Sequence, residues 1–388
     1  MVVASRVDQL LERAVETGSV PGVVALAANE TGVVYQGAFG TREVGTERPM
    51  TLDTVVWIAS MTKAITSVAA MQLVEQDRVG LDEPLAERLP ELGQVQVLEG
   101  FDEAGAPRLR PPRRPITLRH LLTHTAGFTY DIWNADMVRY QEYGQIAGII
   151  ECKNVTLQNP LVFDPGERWE YGINIDWVGK TVEHLSGQSL EDYFRAHIFG
   201  PLGMADSGFV IQPARRARLA SMHVRQADGS LQAIAFEVPQ QPEFFMGGGG
   251  LYSTGPDYLR FVRMLLGGGE LDGARVLRSE TVTQMGQNHI GELRVGPMKT
   301  AIPASSNDAE FFPGMLKKWG LGYMISTEAA PSGRSAGSLA WAGLANTYYW
   351  LDPARQLTGV ILTQILPFAD PTVLALFEQF EQAIYAGV

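Results

Sequence analysis

The stretch Val55-Val56-Trp57-Ile58-Ala59-Ser60-Met61-Thr62-Lys63-Ala64-Ile65-Thr66-Ser67-Val68-Ala69-Ala70-Met71 joins two kinds of structure. It opens with a β-branched and aromatic run that suits extended chain. Apolar residues at 61, 64, 65, 68 and 69 then give helical spacing. Ser60 falls at the join, where its side-chain oxygen is expected to cap the helix. Lys63 follows three residues later, one turn along the same face, so its amine comes within reach of the serine hydroxyl. It is the only charged residue from Val55 to Gln72. On a buried helix its charge is disfavoured by desolvation and by the positive end of the helix dipole. An amine pushed toward neutrality can take a proton from Ser60. A capping serine followed by a lysine that snorkels to solvent fits the same spacing, so the flanking chain has to decide.

Toward the N-terminus, Val7, Leu10, Leu11, Ala14 and Val15 form one stripe of an amphipathic helix. The runs 23–28 and 33–39 flank Asn29-Glu30-Thr31-Gly32, which is turn chemistry, and predict a hairpin. In the other direction, Gly80 to Pro115 is rich in Pro, Gly and charge and predicts an irregular surface segment. Its basic cluster, Arg108-Leu109-Arg110-Pro111-Pro112-Arg113-Arg114, reads as a solvated loop. Thr117 is expected to cap a short helix over Leu118 to Leu122. His124, just beyond it, is either catalytic or a tie for backbone carbonyls, the commoner role in such a place. The segment 129–160, with Tyr130, Trp133, Tyr140 and Tyr143, is a pocket wall or a covering loop.

A Pro165-Gly166 turn leads to Trp169 and Tyr171, and helices are expected from about Asp176 to Leu185 and after Ser189. Gly247-Gly248-Gly249-Gly250 permits close backbone approach but lacks the Gly-Lys-Ser/Thr ending of a phosphate loop, which leaves packing or a pocket edge. A helix over Asp257 to Leu266 precedes strands at roughly 320–326, 337–342, 345–351 and 357–365 and a last helix from Pro371 to Tyr385. These elements predict an α/β (α+β) fold with one antiparallel sheet built from both termini, flanked by helices, and a mainly helical insertion. The α/β part takes 1–60 and 236–388 and the helical part 61–235, with the active site at their junction.

Composition narrows the function classes. The 388 residues are 45% apolar and 19% charged, as in an ordinary globular protein. A net charge of −12 argues against a nucleic-acid surface. Cys152 is the single cysteine, so no internal disulfide is possible, and the histidines lack zinc-ligand spacing. With no signal-peptide core and no 18-residue apolar run, a cytoplasmic location and no membrane partner are expected. No metal or cofactor is expected either.

Six motifs in order resemble the class C β-lactamase-like serine hydrolases, most closely the family VIII carboxylesterases. They are Ser60-Met61-Thr62-Lys63; Leu121-Leu122-Thr123-His124-Thr125-Ala126-Gly127; Pro165-Gly166 leading into Tyr171; Pro201-Leu202-Gly203-Met204; Gly247-Gly248-Gly249-Gly250-Leu251; and Trp341-Ala342-Gly343. The first is the S-x-x-K arrangement of serine β-lactamases and penicillin-binding proteins. The resemblance implies the β-lactamase-like fold, with Ser60 as nucleophile, Lys63 as its base and Tyr171 as proton relay. That relay is expected to need nearby cationic charge that lowers the phenol's pKa from about 10 toward neutral. It further implies an oxyanion hole from the backbone N–H groups of Ser60 and Leu344. Trp341, Gly343, Tyr130 and Trp133 are the expected substrate contacts.

Two departures from the β-lactamases are informative. Trp341 stands where those enzymes have a lysine for the substrate carboxylate, and Ile173 where they have an asparagine, with Asn174 one step late. Both suit a neutral ester, and the resemblance implies hydrolysis of short-chain carboxylic esters through an acyl-enzyme on Ser60. Acyl transfer to an alcohol or amine, weak β-lactam turnover and an idle ligand-binding relative are the alternatives. A rival motif, Gly333-Arg334-Ser335-Ala336-Gly337, fits the G-x-S-x-G nucleophile elbow, yet it sits in loop chemistry and no histidine follows His289. It reads as a chance match.

Overall fold

The computed structural model describes residues 2–387. Its frame is a seven-stranded antiparallel sheet. The strands are β1 (Gly22–Asn29), β2 (Gly32–Gly40), β3 (Lys317–Trp319), β4 (Met324–Ser326), β5 (Leu339–Gly343), β6 (Thr347–Asp352) and β7 (Leu357–Leu362), in the order β3-β4-β5-β6-β7-β1-β2. The two ends of the chain meet where β1 pairs with β7, from Val24 opposite Leu362 to Asn29 opposite Leu357. The sheet is thus built from both termini, as the sequence predicts.

Helices cover both faces of the sheet, so its central strands are buried on both sides and read as continuous apolar runs. Strand β6 shows the alternation. Tyr348 and Trp350 stack toward Phe377 and Phe380 of the last helix, while Tyr349 turns the other way, 5.3 Å between ring centroids from Tyr258. The first face carries α1 (Val2–Glu16) and the C-terminal helix (Pro371–Tyr385); the second carries Gly255–Leu266. Trp350 lies flat across β7 because Gly359 has no side chain there; a Cβ would sit 2.1 Å from the indole.

Between β2 and β3 the chain is mainly helix and loop. Its centre is α2 (Thr62–Glu75), buried from Thr62 to Leu73 and packed against α3 (Asn174–Ser186). Thr117 and Ser189 cap their helices, and Gly187 ends α3 in the left-handed conformation, as the sequence signals. The segment after α2 is more ordered than expected: Val97–Phe101 and Pro107–Arg110 pair as a small hairpin. The basic cluster is correspondingly not all solvated. Arg110 bonds both Glu99 and the buried Asp164, each at 2.7 Å, and ties the hairpin to the Pro165-Gly166 turn. Among the described residues no helix is long and apolar enough to cross a membrane.

The rival serine motif has a structural use. Arg334 and Glu381 form a fully buried pair that joins the 330–337 turn to the C-terminal helix, with Arg334 Nε 2.6 Å from the carboxylate. Removing one partner of such a pair leaves an uncompensated buried charge, typically a loss of about 3–5 kcal/mol. Arg334→Met should therefore lower the thermal midpoint sharply, and adding Glu381→Leu should restore most of it; thermal denaturation of the single and double variants measures both.

Candidate active site

The stretch 55–71 is clamped before it becomes helix. The side chain of Gln364 pairs with both backbone groups of Trp57, accepting from its N–H at 3.0 Å and donating to its C=O at 2.9 Å. Ala59, at φ +44°, then turns the chain sharply into a single 3-10 turn over Ala59–Met61, and α2 starts at Thr62. Positive φ is uncommon for alanine and marks local strain. The capping role expected of Ser60 is not made: neither helix start has a side-chain cap, because the 3-10 turn separates Ser60 from the first turn of α2. Its hydroxyl is left for Lys63.

The two side chains meet. Lys63 Nζ lies 3.1 Å from Ser60 Oγ, 2.9 Å from Tyr130 Oη and 2.5 Å from the carbonyl oxygen of Gly248. Lys63 is 1% exposed, whereas Ser60 is only partly covered and opens onto the pocket. Burial pushes the lysine down to about 7, with the charge of Asp176 acting in the opposite sense. A neutral amine has two N–H donors and one lone pair. The Gly248 carbonyl can only accept and Tyr130 is placed to accept, so the lone pair is directed at the Ser60 hydroxyl.

The four-glycine segment is the edge that fixes this amine. Three successive carbonyls accept from the 55–71 stretch: Gly247 from Thr66 Oγ1 at 2.7 Å, Gly248 from Lys63, and Gly249 from Trp57 Nε1 at 2.7 Å. A Cβ at Gly248 would lie 2.6 Å from an Asp176 carboxylate oxygen, so any side chain there would push the carboxylate aside. Tyr130, expected in the pocket wall, is there and also touches the lysine.

Tyr171 packs on the other side, its ring 4.6 Å from Lys63 Nζ, and its hydroxyl accepts from Trp341 Nε1 at 2.9 Å. Trp341 thus offers its N–H and not only the apolar face expected from the sequence. The expected lowering of the Tyr171 pKa is absent. Complete burial raises it well above the ordinary phenol value despite its contacts with Ser60 and Trp341, so Tyr171 is a neutral phenol. His124 is buried and held neutral by desolvation and by Lys63. It does not tie down carbonyls: its Nδ1 accepts from the Gly172 N–H at 3.4 Å and from Asn174 Nδ2 at 3.1 Å. Its ring backs Tyr171 at 4.8 Å between centroids. Asn174 also donates to Phe128 C=O, which makes it part of this scaffold.

Gly343 lets β5 pass directly over the nucleophile turn, since a Cβ would come 2.3 Å from Ile58 C=O. That approach sets Leu344 beside Ser60, and both line the two cavities that meet there. The first is a narrow apolar slot between Trp57, Ile132, Ile149 and Ile150, with about 30 Å³ of free volume. Beyond Tyr171 opens a wider cleft of about 250 Å³ between Trp133, Trp169, Met298 and Lys299. Trp133 Nε1 donates to Ser306 Oγ at 3.1 Å, so a strap from the 291–316 segment closes over the site. Sequence reasoning missed the Tyr130 contact, Asp176 and the strap. Asp176 is a lone acid between Ile175 and Trp177 in the first turn of α3, but nothing local ties it to Lys63.

Comparison with known proteins places the chain in a family and a fold. Residues 7–383 match the family described as Beta-lactamase. The chain is 35% identical over 397 residues to monacolin J acid methylbutanoyltransferase of Aspergillus terreus, covering 98% of this chain and 95% of that one. It is 32% identical over 396 residues to lovastatin esterase of Penicillium rubens, covering 97% of each. Among solved structures, the LovD9 mutant of simvastatin synthase (LovD) from Aspergillus terreus superposes with a TM-score of 0.86 at 33% identity, covering 99% of both chains.

Proposed function

The chain belongs to the beta-lactamase family, and from that premise we propose that it cleaves short-chain carboxylic esters through an acyl-enzyme on Ser60. The observation that carries this reading is the buried Lys63 amine on a partly open serine. Lys63 takes the Ser60 proton as Oγ attacks the ester carbonyl. The backbone N–H groups of Ser60 and Leu344 receive the developing oxyanion. Tyr171 gives its proton to the departing alkoxide and regains one from Lys63, a role that suits a neutral phenol. The slot beside Ile149 and Ile150 would hold a short acyl chain, and the cleft beyond Tyr171 the alcohol part.

That division also favours a second outcome, acyl transfer to an alcohol. The group that protonates the leaving alkoxide must also deprotonate an incoming hydroxyl, so the cleft beside Tyr171 serves both directions. Relatives named as a methylbutanoyltransferase and as an esterase fit one acyl-enzyme resolved by alcohol or by water. The proposed partner is a neutral ester, with Trp341, Gly343, Tyr130 and Trp133 around it.

The test is turnover of p-nitrophenyl butyrate with and without a primary alcohol. Release of p-nitrophenol with formation of the new ester supports the reading; no turnover of any short ester contradicts it. The pH dependence follows from Lys63, which must be unprotonated to act. kcat/KM should rise with pH through an inflection near 7, where burial has brought the amine, and be level above it.

A further inference from the structure

Asp176 is fully buried at the start of α3, yet no step above uses it. Its Oδ1 accepts from the Gly248 N–H at 2.8 Å, while Oδ2 is buried without a hydrogen-bond partner. Gly248 is the residue whose carbonyl holds Lys63 Nζ at 2.5 Å. One residue therefore links the carboxylate to the amine: its N–H faces Asp176 and its C=O faces Lys63. The missing Cβ of Gly248 lets the carboxylate lie against the backbone. A buried carboxylate with an unsatisfied oxygen is strongly disfavoured unless a charge partner offsets it. Lys63, when protonated, is the cation whose field reaches Asp176; the other titratable groups facing it among the described residues are Tyr130, Tyr171 and Cys152. None of those three supplies positive charge.

We propose that Asp176 is a positioning residue for the Ser60–Lys63 pair, holding the amine in place through Gly248 and setting the pH range in which Ser60 becomes reactive. The inference rests on Ser60 and Lys63 acting as nucleophile and base. Its mechanism is electrostatic as well as geometric. An ionised Asp176 favours the protonated lysine, so removing the charge makes the amine lose its proton at lower pH. Asp176→Asn keeps an oxygen for the Gly248 N–H, removes the charge and sets an NH2 in place of the unpartnered Oδ2.

The experiment follows covalent modification of Ser60 by an aryl phosphonate in the full-length protein, by intact mass, as a function of pH. This readout needs no knowledge of the natural ester. In Asp176→Asn the inflection of the modification rate should move to lower pH by about one unit or more. Well below the inflection, the rate relative to its own plateau then rises about tenfold per unit. Asp176→Glu, which restores charge, should bring the inflection back toward that of the wild type. A folded Asp176→Asn protein with an unmoved inflection overturns the proposal. Should that variant not fold, Gly248→Ala probes the same link, because its Cβ displaces the carboxylate; wild-type modification kinetics there would overturn it equally. Failure of the wild type to be modified at Ser60 would instead remove the nucleophile assignment, and this inference with it.

Discussion

Lys63→Met is expected to reduce ester turnover by about 10²–10⁴-fold, the range attributed to a positioned general base, while leaving the protein folded. Methionine fills nearly the same unbranched space in α2. It removes the cost of burying an amine that is 1% exposed, but leaves Tyr130 Oη and the Gly248 carbonyl without their donor. These effects oppose each other, so the thermal midpoint should move little. Lys63→Arg separates two explanations for the loss. Arginine keeps a positive charge beside Ser60 but cannot give up its proton near neutrality. An arginine variant with substantial turnover would mean that Lys63 acts only as a charge; an inactive one supports proton transfer.

The larger loss belongs to Ser60→Ala. Removing the nucleophile of a serine hydrolase lowers kcat on the order of 10⁶-fold, and among the described residues Ser60 carries the one serine hydroxyl that Lys63 contacts. Ser335→Ala is the paired control. Ser335 uses its backbone N–H, which donates to Asp352 Oδ2 at 2.8 Å, and it stands in the turn fastened by Arg334 and Glu381. Its hydroxyl has no part in the proposed chemistry, so the variant should turn over esters as the wild type does. Steady-state kinetics on p-nitrophenyl butyrate measure both. Retained activity in Ser60→Ala together with loss in Ser335→Ala would reverse the assignment of the nucleophile.

Most of the frame was legible because local signals agreed with the packing. The Asn29–Gly32 turn between two apolar runs set the β1–β2 hairpin, and Thr117 and Ser189 marked helix starts by capping. Spacing alone placed Lys63 one turn from Ser60, and the absence of any other charge nearby pointed to its burial. What escaped depends on contacts between distant segments. The Asp176–Gly248–Lys63 link joins residues 72 and 185 positions apart, and no periodicity records it. The Ala59 turn escaped because alanine rarely takes positive φ, so the sequence pointed to a cap instead. The Tyr171 hydroxyl was misjudged for a similar reason. Proximity of a lysine suggests a lowered phenol, but that lysine is itself driven toward neutrality, and burial then governs both.

The most direct measurement is to react the wild-type protein with a serine-directed phosphonate at neutral pH, weigh the intact chain and map the modified peptide. One adduct, on the peptide containing Ser60 and lost in Ser60→Ala, is the result predicted by a neutral buried amine activating that hydroxyl. An adduct on Ser335, or none while ester turnover proceeds, would contradict it.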